Sequence, residues 1–368
     1  MKPNERLQSL DVLRGMDMFM ILCAGWSPLI FVCEAFGCPD CWLVRQCHHA
    51  AWGAGVTIID LIFPTFLFIA GVTFPYSLAR QHEQGGATRE VAWKILSRIV
   101  LLFALGLMYN HVLDFDWANN AIWSVIGRIG LAWGAAALVW LAGARRLGIA
   151  VSALLLMGWW LLCRFVPSPE AAPGTDAMAT MQSSFAYWMD VNVLTLSHKY
   201  EGAFATVAMV PTALFGMLTG DFLRGASISS ARKAAVLLAA GAAAVVLAFV
   251  WEAIPYGVPR IKECWSSSYA LYAGGIAVGC LGIVYWMVDV MGWRRGFFFF
   301  RVIGVNPLMI YLLSWTILRW ENEKAYFFGG LMRIFPGPIM NCIAEWGTLG
   351  LFWLLLLWMY NRKIFLKV

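Results

Sequence analysis

Residues 233–251 read KAAVLLAAGAAAVVLAFVW, one lysine followed by eighteen positions without a charged or hydroxyl side chain. A helix that crosses a membrane needs about 20 mostly apolar residues to bridge a hydrocarbon core of about 30 Å. The stretch meets that requirement, and nine others do so with it. The predicted spans are 12–33, 56–78, 94–111, 120–141, 147–166, 203–222, 233–251, 268–290, 300–319 and 342–361. The reading is an all-α polytopic membrane helical bundle of about ten transmembrane helices (ten or eleven), with 1–368 as one membrane-embedded domain.

Composition agrees. Hydrophobic residues make up 61% of the chain and charged residues 13%, against about 25% charged in soluble domains. So few charges exclude a soluble or secreted domain and a disordered segment, and no nucleic-acid partner is expected. The net charge of +6 has a topological explanation. With the N-terminus inside, sixteen Lys and Arg fall in segments on the cytoplasmic side. Six fall opposite: Arg45, Lys199, Arg260, Lys262, Lys324 and Arg333. This positive-inside bias predicts cytoplasmic termini. No cleavable signal peptide stands out, so the first span stays in place. The larger external segments are 34–55, 167–202, 252–267 and 320–341, where a lid or binding surface has room.

Ionisable groups within or beside spans are costly and are read as functional candidates. Asp11 and Arg14 in Ser9–Gly15 share a helix face and neutralise each other, and Gly15 permits close helix packing. They read as a paired anchor or as part of a cytoplasmic vestibule. Asp17 needs its own partner. His48-His49 precede Trp52, and Asp60 follows one turn inside the second span. A histidine at a cavity mouth suits general-base work, and Asp60 suits orienting it. Tyr200-Glu201-Gly202 opens the sixth span. Lys262, Trp265 and Ser267 lie in a run of cations and hydroxyls before the eighth span, a run suited to a sugar or anion, or to an interfacial helix start with a capping serine. Arg128 places a cation in the fourth span, and Asn306 precedes Pro307 in the ninth.

Nine cysteines show no zinc spacing, and no metal is expected. Cys33, Cys38, Cys41 and Cys47 cluster at the outer mouth, with Cys264 and Cys342 on the same side. They read as one or two disulfides or as apolar packing. The CxxC spacing of Cys38 and Cys41 is weak evidence by itself.

The ordered set of motifs resembles the transmembrane acyltransferase family that includes heparan-alpha-glucosaminide N-acetyltransferase, closest to a bacterial branch with a domain of unknown function. The resembling stretches are Ser9–Gly15, His49–Gly71, Arg98–Asn110, Ser124–Gly130, Glu201–Gly220, Lys262–Tyr269, Gly304–Tyr311 and the tail 363–367. The resemblance implies acetyl transfer from cytosolic acetyl-CoA to an amino or hydroxyl group of an extracytoplasmic sugar or glycan. The family's active histidine, three residues before a tryptophan, falls on His49, the aspartate before Leu-Ile-Phe-Pro on Asp60, and the asparagine before a late proline on Asn306.

Three departures accompany it. The Trp52-to-Asp60 spacing is one residue longer than the family pattern, which leaves His48 as a rival. Gly25 stands where the lysosomal enzyme has asparagine. The acid ahead of Glu201-Gly202 is absent. The expected assignment is His49, Asp60 and His48 for catalysis, and Arg14, Asp11, Arg128 and Asn306 at acetyl-CoA. Trp52, Glu201, Lys262, Trp265 and Ser267 are expected at the acceptor. The implied location is a bacterial inner membrane, and a homodimer is compatible. The competing readings are a carbohydrate or lipid-linked-intermediate transporter and a structural membrane partner. The first is disfavoured because no internal repeat is seen.

Overall fold

The computed structural model describes residues 7–21, 30–31, 33, 36–38, 41–116, 121–195, 198–312, 320–335 and 337–365. In chain order the helices are α1 (Gln8–Ile21), α2 (Trp42–Arg45), α3 (Ile62–Thr73, entered through a 3-10 turn at Ile59–Leu61), α4 (Leu78–Glu83), α5 (Thr88–Tyr109) and α6 (Val125–Phe165). They continue with α7 (Phe185–Met189), α8 (Thr206–Arg224), α9 (Ser230–Ala253), α10 (Ser267–Tyr285), α11 (Phe298–Val305), α12 (Pro307–Leu312), α13 (Trp320–Ile334) and α14 (Pro338–Asn361). Among the described residues there is no strand beyond a single bridge between Pro167 and Ser184.

Seven helical stretches among these residues are long and apolar enough to cross a membrane. They coincide with eight of the predicted spans, because the 41-residue α6 is two helices. Gly143 and Ala144 leave helical geometry, with Ala144 at φ 48°. That break falls between predicted spans 120–141 and 147–166, just before Arg145 and Arg146. Helix α1 fills the start of the first predicted span, whose later part lies largely outside the described residues, as does Gly25. The ninth is α11 and α12, interrupted at Asn306 before Pro307, and 313–319 lie outside the described residues. Pro64 sits in the first turn of α3, where its missing N–H costs nothing, and Pro75 lies in the 3-10 turn ending that span.

The described chain divides into two compact units, and it passes between them at 49/50, 56/57, 62/63 and 282/283. In the first unit α1 crosses α11 at backbone contact. A Cβ on Gly15 would lie 1.7 Å from the Phe300 carbonyl oxygen, and one on Gly304 would lie 1.6 Å from that of Asp11. Small residues of this kind let membrane helices pack by close van der Waals contact. The Asp289 carboxylate accepts from the Ser9 N–H at 3.1 Å and the Gln8 N–H at 3.3 Å, and so caps the positive end of α1. In the second unit α5, α6 and α8 pack together, with Trp133, Phe74 and Leu214 in a fully buried core.

Candidate functional site

The turn at 57–60 is built by its own side chains. The Asp60 carboxylate returns three residues and accepts the Thr57 N–H at 3.1 Å, as an acid does in a capping box. The Thr57 hydroxyl lies 2.9 Å from the same carboxylate oxygen and 2.8 Å from the His48 carbonyl, so it bridges the preceding loop to Asp60. Gln46 ties that loop to the turn a second time, because its side-chain oxygen accepts the Ile58 N–H at 3.2 Å.

The other oxygen of Asp60 meets His49 Nδ1 at 2.7 Å. The two partners differ sharply in environment. Asp60 is 1% exposed and the His49 side chain is 59% exposed. A carboxylate at Nδ1 holds the tautomer with hydrogen on Nδ1 and leaves the basic lone pair on Nε2. It also stabilises the imidazolium that forms when Nε2 takes a proton. The exposed His48 contributes its backbone carbonyl to Thr57. Of two adjacent imidazoles, the ring of His49 is the one bonded to Asp60.

In the first unit Arg14 and Asp11 pair at 3.7 Å on one face of α1, as the three-residue spacing predicts. Asn306 is buried, and its amide donates to the Ile364 carbonyl at 2.9 Å, which pins the C-terminal tail. Arg301 bonds the Gln8 side chain at 3.2 Å and the Tyr360 hydroxyl.

In the second unit a separate set of residues converges on the turn before α8. Glu201 accepts the Trp123 N–H at 2.7 Å. The Arg128 guanidinium donates to the Gly202 carbonyl at 3.4 Å and lies over the Phe63 ring, 5.1 Å from its centroid. Gly202 has φ +72°, and a Cβ there would sit 2.2 Å from the guanidinium. The left-handed backbone favours glycine here, and a side chain would push the guanidinium away from its present position. Buried Asp190 accepts from the N–H groups of Ala203 at 2.9 Å and Phe204 at 2.7 Å. Burial pushes its carboxyl above the usual range, against the opposing pull of those N–H groups and the Arg128 charge. Arg128 thus keeps company with Glu201-Gly202, while Arg14 belongs to the other unit.

Trp265 is 1% exposed, holds a left-handed backbone at φ 51°, and donates its indole N–H to the Thr212 hydroxyl at 3.3 Å. Such a conformation is rare for a bulky residue and persists only where surrounding structure enforces it. Ser267 gives its hydroxyl hydrogen to the Leu156 carbonyl at 2.7 Å, and Ser268 does the same to Val258 at 2.8 Å. Lys262 is half-buried, and its carbonyl accepts the Trp265 N–H at 3.0 Å. The indole N–H of Trp52 bonds the Met178 carbonyl at 3.1 Å.

Sequence reasoning passed over Thr57, Gln46 and Asp190. Thr57 had a signal in the Thr-x-x-Asp spacing ahead of an apolar run. Gln46 and Asp190 had none, since their bonds join residues 12 to 14 positions apart.

No protein-family model matches the chain. It is similar to heparan-alpha-glucosaminide N-acetyltransferase from Homo sapiens, at 23% identity over an alignment of 431 residues, covering 99% of this chain and 60% of the relative. The Mus musculus protein of the same description is 23% identical and is covered over 62% of its length. The chain therefore spans about three fifths of the curated relatives it matches. This end-to-end similarity, along an all-helical chain, supports membership of the transmembrane acyltransferase family that includes heparan-alpha-glucosaminide N-acetyltransferase.

Proposed function

We propose that the protein is a membrane-bound acetyltransferase. It moves an acetyl group from cytosolic acetyl-CoA to an amino or hydroxyl group of an extracytoplasmic sugar or glycan. The reading is supported most by the 2.7 Å bond between an exposed His49 and a buried Asp60. The names of the relatives supply the reaction class. The charge bias along the chain supports cytoplasmic termini, here in a bacterial inner membrane.

His49 Nε2 removes the proton from the acceptor as its nitrogen or oxygen attacks the thioester carbonyl. The carbon–sulfur bond breaks, and the departing CoA thiolate takes up the proton. The same Nε2 lone pair serves equally if the imidazole first carries the acetyl group and then passes it on. In both routes Asp60 fixes the ring and offsets its positive charge. Arg14 with Asp11, and Asn306, remain assigned to the CoA moiety. Glu201, Trp52, Lys262 and Trp265 remain assigned to the acceptor, and the bonding of Arg128 beside Gly202 favours moving it to that group.

The test is purified protein with acetyl-CoA and glucosamine. Consumption of thioester matched by acetylated sugar supports the enzyme. Sugar counterflow in vesicles without thioester consumption replaces it with a transporter.

A further inference from the structure

Four cysteines lie in the fifteen residues from Cys33 to Cys47, immediately before His48-His49. Spacing alone favours Cys38 with Cys41. The three-dimensional arrangement differs. The Sγ atoms of Cys41 and Cys33 are 3.3 Å apart, whereas exposed Cys38 turns its thiol toward the Phe36 carbonyl at 3.7 Å. Cys47 is buried, with its thiol directed to the Leu43 carbonyl at 3.6 Å.

We propose that Cys33 and Cys41 are a disulfide-forming pair that clamps the loop carrying His49. The two sulfurs, 3.3 Å apart, have to close to about 2.05 Å to form the bond. Cys41 is the attacking sulfur. The Val44 backbone N–H and the Cys33 thiol hold its pKa below that of an ordinary thiol, while burial pushes Cys47 up and out of competition. The oxidant is a disulfide-bearing donor. The Cys41 thiolate attacks the donor disulfide, forms a mixed disulfide and expels one donor thiolate. The Cys33 thiolate then attacks the Cys41 sulfur and expels the second. Two electrons pass to the donor, and the two protons released are taken up by its thiolates. The clamp bears on the site through α2, which begins at Trp42 beside Cys41 and is followed at its C-cap by Gln46, the residue bonded to Ile58 ahead of Asp60.

The experiment is a non-reducing peptide map. The purified full chain is equilibrated with oxidised glutathione, free thiols are alkylated with iodoacetamide, and the protein is cleaved by chymotrypsin, which cuts after Phe36. The expected result is the Cys33 peptide joined to the Cys41 peptide, lighter by two hydrogens than the separate pair, with Cys38 alkylated. Cys38→Ser should keep the link, and Cys41→Ser should leave Cys33 alkylated. A bond between Cys38 and Cys41, or alkylation of both Cys33 and Cys41 in the wild-type chain, would overturn the proposal. None of these readings depends on acetyl transfer, so they stand apart from the fate of the proposed reaction.

Discussion

Two polar clusters guard the start of a helix, Thr57–Asp60 ahead of α3 and Pro259–Ser268, which runs into the first turn of α10. On paper they look alike, with hydroxyls, ionisable groups and a tryptophan nearby. Their hydrogen bonds separate them. In the second cluster the hydroxyls of Ser266, Ser267 and Ser268 all donate to backbone carbonyls, and all three residues are buried. In the first, a buried carboxylate organises a threonine and then an imidazole that remains largely exposed. A polar group whose hydrogen is committed to a buried carbonyl supports the fold. One held by a single nitrogen retains a lone pair for chemistry. Donor and acceptor accounting thus discriminates where residue type does not.

The comparison breaks most directly at His49. His49→Ala is expected to lower acetyl transfer by roughly 10²–10⁴-fold, the contribution of a general base, with acetyl-CoA binding and melting temperature retained. His48→Ala should keep most of the rate. Steady-state assays of both variants beside melting curves decide it, and an inactive His48→Ala with an active His49→Ala would shift the site by one residue. Asp60→Asn should fall between wild type and His49→Ala, because an amide no longer offsets the imidazolium charge. Its rate deficit should appear in kcat more than in KM.

The next effect is on packing. Gly304→Ala places a methyl group 1.6 Å from the Asp11 carbonyl oxygen, and overpacking of this kind costs about 1–3 kcal/mol and occasionally more. Thermal unfolding of the purified variant should show a clear fall. An unchanged melting temperature would mean that α1 and α11 do not cross at these glycines.

Ser267→Ala sharpens the contrast between the two clusters. It removes the hydroxyl's bond to the Leu156 carbonyl, which keeps its partner within α6, and should cost about 0.5–1.5 kcal/mol of stability, with the KM for sugar unchanged. A raised KM with unaltered melting would return Ser267 to the acceptor site.

The smallest effect concerns the turn that holds Trp52. Asp176 accepts from the Met178 N–H at 2.9 Å and pairs with Arg164 at 2.6 Å. The Met178 N–H, and after it Arg164, hold its carboxyl below the ordinary range. A depressed folded pKa contributes stability that is present above about 3.9, the unfolded value, and is lost as pH falls through the folded value. Asp176 is 45% exposed, so solvent screening keeps the contribution below about 1 kcal/mol. Asp176→Asn should flatten this acid limb of the melting-temperature profile slightly, and an identical profile would remove the pair from the account.

Much of the architecture was legible because hydropathy is local. The break of α6 at Gly143–Ala144 fell beside two arginines that already divided one apolar stretch from the next. The Asp11–Arg14 pair followed from helical spacing, and close packing at Gly15 from the absence of a side chain. The site was less legible. Both His48 and His49 precede Trp52 at plausible spacing, and nothing local distinguishes their rings. Arg128 and Arg14 were grouped by charge, yet Arg128 bonds to a carbonyl 74 positions later in sequence.

By itself the sequence determined that this chain is a helical membrane protein, where most of its spans lie, and which family motifs it carries. Those properties follow from the run length of apolar side chains, from helical periodicity and from the order of short motifs, and none depends on a distant partner. Only the tertiary structure decided that Asp60 takes the ring of His49, that Cys41 faces Cys33 instead of Cys38, and that Arg128 rests against Gly202. Each choice turns on where a loop carries a donor to within about 3–4 Å of its acceptor, and loop paths are set by packing across the fold rather than by neighbours along the chain.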